Sequence, residues 1–206
     1  MAKKKLVAFD FDGTLTTKDS FVEFIKFCKG NFIFYSYIPL VLLFWISFKI
    51  KIISRHKAKE YVFALFFKGM SSHDFNTYCE KFSEKIDTFL RDSSTFKINS
   101  YTKENHEVVI VSASIENWIK PWATTHKISN IIATKVEIDA FGNLSGKFSS
   151  KNCRGKEKVD RLLEAYPFRN EYDLIAYGDS SGDAELLNFA DESYYKSDES
   201  YYKSIV

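Results

Sequence analysis

Leu6-Val7-Ala8-Phe9-Asp10-Phe11-Asp12-Gly13-Thr14 is the stretch from which the rest of the chain is read. Four apolar residues running into a carboxylate and a glycine turn describe a buried strand that delivers two acids to its carboxyl end. On an extended segment the side chains of Asp10 and Asp12 point to the same side, so both can meet one ligand. The pattern recurs twice: Val108-Val109-Ile110-Val111 ends at Ser112-Ala113-Ser114, and Leu174-Ile175-Ala176-Tyr177 ends at Gly178-Asp179-Ser180-Ser181-Gly182-Asp183. Helical spacing follows both, through Ile115, Trp118, Ile119 and Trp122, with a kink expected at Pro121, and through Ala184, Leu186, Leu187 and Ala190. Three apolar strands with polar carboxyl ends predict a parallel α/β sheet whose ligand sits outside those ends.

Two excursions interrupt the alternation. Ile131-Ile132-Ala133-Thr134, continuing through Val136 and Ile138, is a further strand, and Phe141-Gly142-Asn143-Leu144 turns it back toward Phe148. Lys18 to Arg91 is helical almost throughout, with faces at Phe21, Phe24, Ile25 and Cys28, at Ala58, Tyr61, Val62 and Leu65, and at Phe75, Tyr78, Cys79, Phe82, Ile86 and Phe89. Ser71 or Ser72 is the expected N-cap of the last. The expectation is a core of residues 1–17 and 92–206 with a helical cap, 18–91, inserted after the first strand and lying above the site.

With 45% hydrophobic and 27% charged residues, 8 Gly and 3 Pro, the chain of 206 residues has the composition of a folded globular protein. A net charge of +2 is too balanced for a nucleic-acid binder, so no nucleic-acid partner is expected. Cys28, Cys79 and Cys153 are an odd number, far apart, and suggest neither a disulfide framework nor a zinc site. His56, His73, His106 and His126 have no metal-ligand spacing. After Met1-Ala2-Lys3-Lys4-Lys5 the apolar run to Phe9 is too short for a signal peptide, so a cytoplasmic location is expected.

Phe32 to Phe48 carries no charge but falls short of the roughly 20 residues of a spanning helix, is broken by Pro39, and is followed by Lys49, Lys51, Arg55 and Lys57. Two readings stay open: a pair of buried cap helices, or a peripheral membrane contact whose basic flank meets anionic headgroups.

The acids carry the chemistry. Asp10, Asp12, Asp179 and Asp183 brought to neighbouring strand ends repel one another unless a hard divalent cation neutralises them, and magnesium, oxygen-liganded and usually shared with phosphate, is the natural candidate. Ser112 adds a hydroxyl, and Lys158 of Gly155-Lys156-Glu157-Lys158 adds a positive charge. Asp-Phe-Asp-Gly-Thr-Leu, then Val-Ser-Ala-Ser, then a lysine, then Gly-Asp-Ser-Ser-Gly-Asp resembles the four motifs of the haloacid dehalogenase-like hydrolase superfamily. With the insertion between the first two, it is similar to subfamily IB, the phosphoserine-phosphatase-like branch. The segment Asn152 to Val159 is also similar to one in the phosphatidylglycerophosphatase C type.

The resemblance implies a Rossmann-like core and a magnesium-dependent phosphatase. Asp10 would be the nucleophile that becomes an aspartyl phosphate, and Asp12 the acid that protonates the leaving oxygen and then activates water. Thr14, Ser112, Ala113 and Lys158 would bind the phosphoryl group, with Lys156 as the alternative lysine. The cation would be held by Asp10, the main-chain carbonyl of Asp12 and Asp179, with Asp183 binding through water or orienting the shell. Ser112-Ala113-Ser114 stands where phosphoserine phosphatases usually read Ser-Gly-Gly, and only Asp19 stands where they carry an acidic substrate residue. The implied substrate is a small phosphate ester such as phosphoserine or, alternatively, a lipid phosphate at a membrane surface. A phospho-accepting receiver module is the non-enzymatic alternative.

Overall fold

The computed structural model describes residues 4–197 and 200–203; Met1-Ala2-Lys3 of the expected basic start lies outside them. The first strand, β1 (Lys4–Phe9), lies in the middle of a six-stranded sheet. On one side it pairs with β2 (Glu107–Ile115), itself paired with β3 (Asn130–Thr134). The other side continues with β6 (Tyr172–Gly178) and β7 (Glu192–Ser197), all parallel, and ends on the antiparallel β8 (Ser200–Lys203). Alternation buries both faces: Val7, Phe9, Val108, Ile110, Ile175 and Tyr177 enter one apolar cluster, and Leu6, Ala8, Val109, Val111, Leu174 and Ala176 the other. The sequence order reverses between β1 and β6, which makes their carboxyl ends a switch point where ligands bind in open α/β sheets.

The expected long strand through Ile138 divides. Lys135 leaves the sheet after β3, and β4 (Val136–Ile138) pairs with β5 (Leu144–Phe148) in a separate hairpin that turns at Gly142. This hairpin packs on a helix of the insertion so closely that a Cβ on Gly146 would stand 2.7 Å from that of Ala64.

The insertion holds α1 (Ser20–Ser36), α2 (Ile38–Lys49), α3 (Arg55–Phe67) and α4 (Ser72–Ile86). Side chains of Asp19, Ser54 and Ser71 cap the starts of α1, α3 and α4, and α1 is interrupted at Gly30. The expected faces of α1 and α4 are largely buried, though Tyr78 is exposed. On α3 Ala58 and Val62 of the expected face are buried, but so are Glu60, Phe63, Phe66 and Phe67, and Tyr61 is exposed, because the helix is covered from two sides, by its neighbours and by the hairpin. The reading of Phe32 to Phe48 as buried helices fails for α2, which has no buried residue.

The two connections of the insertion run side by side: Thr17 N–H bonds Phe89 O (2.8 Å), Arg91 N–H bonds Leu15 O (2.9 Å), and Thr16 bridges Leu90. After this neck, α5 (Asp92–Lys103) leads to β2, and α6 (Glu116–Thr125) is one continuous helix across Pro121, where a kink was expected. Finally α7 (Lys156–Ala165) and α8 (Ala184–Phe189) cover the second face with Leu162, Leu186 and Leu187. The three cysteines are free.

Candidate active site

Beyond Phe9 the chain leaves the sheet in a turn through Gly13, whose φ of 83° favours glycine and where a Cβ would stand 2.1 Å from Asp179 Oδ2. Gly13 therefore lets the β1 turn close onto the β6 loop. Asp10, 6% exposed, sits where the two meet. Lys158 Nζ lies between Asp10 Oδ1 (2.5 Å) and Asp183 Oδ1 (2.6 Å), buried to 1%. Lys156 is exposed and pairs with Asp160 (2.5 Å), so Lys158 is the lysine of the site. The first turn of α7 explains this: Lys158 and Leu162, four residues apart, form its buried face.

Asp12 borders the same cavity but turns to other partners. It accepts from Ser20 N–H (2.8 Å) and from the hydroxyl of Ser114, which is also 3.0 Å from Ser20 Oγ. Trp118 Nε1 donates to Ser20 Oγ at 3.1 Å, anchoring the chain of bonds in the core. Burial, helped by the charge of Asp19, pushes the Asp12 carboxyl up to about 6, against the hydrogen bonds that lower it. Burial also raises Asp10, with Lys158 offsetting part of the effect and Asp183 adding to it.

The carboxylates of Asp10, Asp179 and Asp183 bring ligand atoms within 4.8 Å of one another; Asp12 is not in this group. Burial and then the neighbouring Asp183 raise the Asp179 carboxyl, with Thr14 and Lys158 working the other way. Hard oxygen donors with surplus negative charge fit a magnesium ion. Asp183 is fully engaged: one oxygen meets Lys158, the other accepts from Ser180 N–H, Ser180 Oγ and Asp179 N–H. It suits orienting the loop.

Thr14, an expected phosphate ligand, points its hydroxyl to Asp10 Oδ2 (3.4 Å) and Asp179 Oδ1 (3.3 Å). Ser112 lines the cavity and accepts from Ser114 N–H (3.0 Å). An irregularity in the β2–β3 register between Ser112 and Ile115 bends the strand there. The main-chain oxygen of Ala113 accepts from Lys59 Nζ and from Thr134 Oγ1, each at 2.7 Å. Asp19 also reaches the cavity, but its carboxylate caps α1 through Val22 N–H (3.0 Å).

Above these groups lies a cavity of about 540 Å³. Three cations that sequence reading did not assign to the site line it: Arg55 and Lys59, one turn apart on α3, and Arg154, which reaches Ser180 and Ser181. The i, i+4 spacing of Arg55 and Lys59 is the signal in the sequence that puts both on one helix face, while Arg55 also belongs to the basic flank of the apolar stretch. Farther out the wall is apolar, formed by Phe34, Val41, Phe44, Trp45 and Phe48.

A parallel sheet with a carboxylate-lined switch point, a buried lysine and a helical insertion after the first strand defines a doubly wound α/β protein with its ligand site at the carboxyl ends of the strands. Residues 7–188 match the family model of the haloacid dehalogenase-like hydrolases, and the chain belongs to that family. The receiver alternative, which needs no hydrolase, is thereby set aside. Protein CicA of Caulobacter vibrioides is 34% identical over 198 residues, 93% of this chain and 85% of the relative. In fold the chain is similar to a protein of unknown function from Bordetella pertussis Tohama I (TM-score 0.80, 17% identity, 93% of this chain and 89% of that one). It is also similar to a substrate-bound phosphoserine phosphatase (TM-score 0.66, 15% identity, 95% and 87%).

Proposed function

We propose that this hydrolase cleaves phosphate monoesters through an aspartyl phosphate on Asp10. The observation that carries this reading is the buried Asp10–Lys158–Asp183 arrangement at the floor of a cavity shared with Asp12. Asp10 attacks phosphorus with one carboxylate oxygen while Lys158 holds the other and offsets charge on the phosphoryl group. Asp12 gives its proton to the departing alkoxide, which leaves as an alcohol. Once ionised, Asp12 takes a proton from water, whose oxygen attacks phosphorus and releases phosphate from Asp10. Ser112 and the neighbouring main chain at Ala113 would bind phosphoryl oxygens. Asp10, Asp179 and the main-chain carbonyl of Asp12 would hold magnesium, with Asp183 orienting the loop. The ion, when bound, supplies charge neutralisation for carboxylates and phosphate together.

Residues 18–91 act as the cap and 1–17 with 92–206 as the core, a division supported by the paired connections at Thr17 and Arg91. For the alcohol end of the ester, the fold likeness to phosphoserine phosphatase supports a small polar substrate, and the apolar wall of the cavity supports a lipid-like one. The test of the chemistry is hydrolysis of an aryl phosphate by the purified protein with magnesium. Asp10→Asn should lower kcat by at least about a thousandfold. Activity within tenfold of the parent would sink the covalent mechanism.

A further inference from the structure

Two faces of α2 do different things. Val41, Phe44 and Phe48 point inward, where the Phe44 ring packs at a tilt 5.3 Å from that of Tyr61 and all three line the cavity. Leu42, Leu43 and Ile46 point outward and are more than half exposed, continued one turn on by Ile50 at 61%. Trp45 belongs to both, lining the cavity while half exposed, so the cavity reaches the outer surface there. A contiguous exposed apolar patch of this kind marks an interaction surface.

Its surroundings say what covers it. Between Asn31 and Lys59 there is no carboxylate in the sequence, while Lys49, Lys51, Arg55, Lys57 and Lys59 are cationic. Lys57 is neutralised by Glu60, and Arg55 and Lys59 turn to the cavity. That leaves Lys49 and Lys51, exposed and without a carboxylate partner among the described residues, at the end of the apolar face. Trp45 on the helix, and Tyr35 and Tyr37 just before it in the chain, are exposed too, the residue types that settle at headgroup level. No described helix is by itself long and apolar enough to cross a membrane, and α1 and α2 meet at 86°. With 12 residues, about 18 Å of helix, α2 suits lying in the interface plane.

We infer that the outer face of α2 docks on an anionic bilayer surface, and that the cavity behind it receives the apolar chain of a phosphate monoester whose headgroup reaches Asp10. The second half rests on the hydrolytic reading above; the docking does not. Substrate enters beside Trp45, its chain against Phe34, Val41 and Phe44, its phosphate drawn inward past Arg55, Lys59 and Arg154.

Docking is measured by sedimentation with phosphatidylcholine vesicles, with and without phosphatidylglycerol, at low and high salt. The parent should sediment with the anionic vesicles at low salt. K49Q/K51Q should weaken partitioning about thirtyfold, and L42E/I46E should abolish it while leaving aryl phosphate hydrolysis unchanged. A parent that stays in the supernatant overturns the docking. So does a dimer in analytical ultracentrifugation that L42E/I46E converts to monomer, which would make a second copy the occupant. Chain recognition is measured separately with n-alkyl phosphates in solution. There kcat/KM should rise about fourfold per methylene until the cavity is filled, and a flat series overturns it. If no phosphate ester is hydrolysed while vesicle binding persists, the proposed function has failed and the docking stands.

Discussion

Lys158 and Lys156 lie two residues apart and have opposite fates, because a helix sends positions two apart to different faces. Replacing Lys158 with Met leaves Asp10 and Asp183 facing each other in a buried site. Breaking such a pair costs about 3–5 kcal/mol, and urea unfolding should show a loss of that size together with loss of hydrolysis. Lys156→Met, at the exposed pair with Asp160, should change stability by no more than about 0.5 kcal/mol and leave hydrolysis intact. Asp12 illustrates a second residue-scale rule. β1 ends at Phe9, so the turn after it gives Asp12 its own donors at Ser20 and Ser114 while Asp12 still borders the cavity of Asp10.

At the scale of elements, α3 joins the insertion to the β4–β5 hairpin through one buried acid. Glu60 accepts from Phe148 N–H (2.9 Å) and from Lys57 (2.6 Å), and His56 lies 3.4 Å away. Burial raises its carboxyl, but the hydrogen bonds and the neighbouring positive charge outweigh it and hold it below the ordinary range. A carboxyl depressed in the folded state stabilises above its unfolded pKa of about 4.3, and that contribution is lost as pH falls through the folded value. Glu60→Ala should therefore destabilise by about 1–3 kcal/mol at neutral pH, chiefly by leaving Phe148 N–H without its acceptor. The gap from the parent should narrow in acid below about pH 4, measured by denaturant unfolding across pH. A gap that widens in acid would contradict this account of Glu60. The pattern of α3 misled because only the exposed side of a helix carries a polar stripe, and here two elements cover it.

For the whole molecule, three carboxylates, two buried and one half-buried, against one lysine make cation binding a stability effect. Magnesium at a hundred times its Kd should stabilise the folded chain by about 2.7 kcal/mol, seen as a rise in Tm of several degrees that EDTA reverses. Asp179→Asn should remove most of that rise. An equal rise in the variant would place the cation elsewhere. One apolar cluster runs from Val7 and Phe9 of the sheet through Trp118 and Trp122 of α6 into Phe24, Phe75 and Phe82 of the insertion. The part of the chain read as a cap thus shares its packing with the sheet, joined by Phe24 stacked on Trp118 at 4.7 Å.

The sequence alone determined the parallel sheet, its carboxyl-end acids and the helical insertion, because each is written locally: a four-residue apolar run, the turn after it, a repeat of three and four. Only the tertiary structure decided the rest. Lys158 meets Asp10 across 148 residues, the Thr14 hydroxyl faces Asp10 and Asp179, and Arg154 joins Arg55 and Lys59 of α3 at one cavity. Most of all it decided α2, whose sequence is apolar on every side and so has no polar face to say which side is buried. Packing against α3 chose the inner face, and the outer face was left to whatever the protein meets.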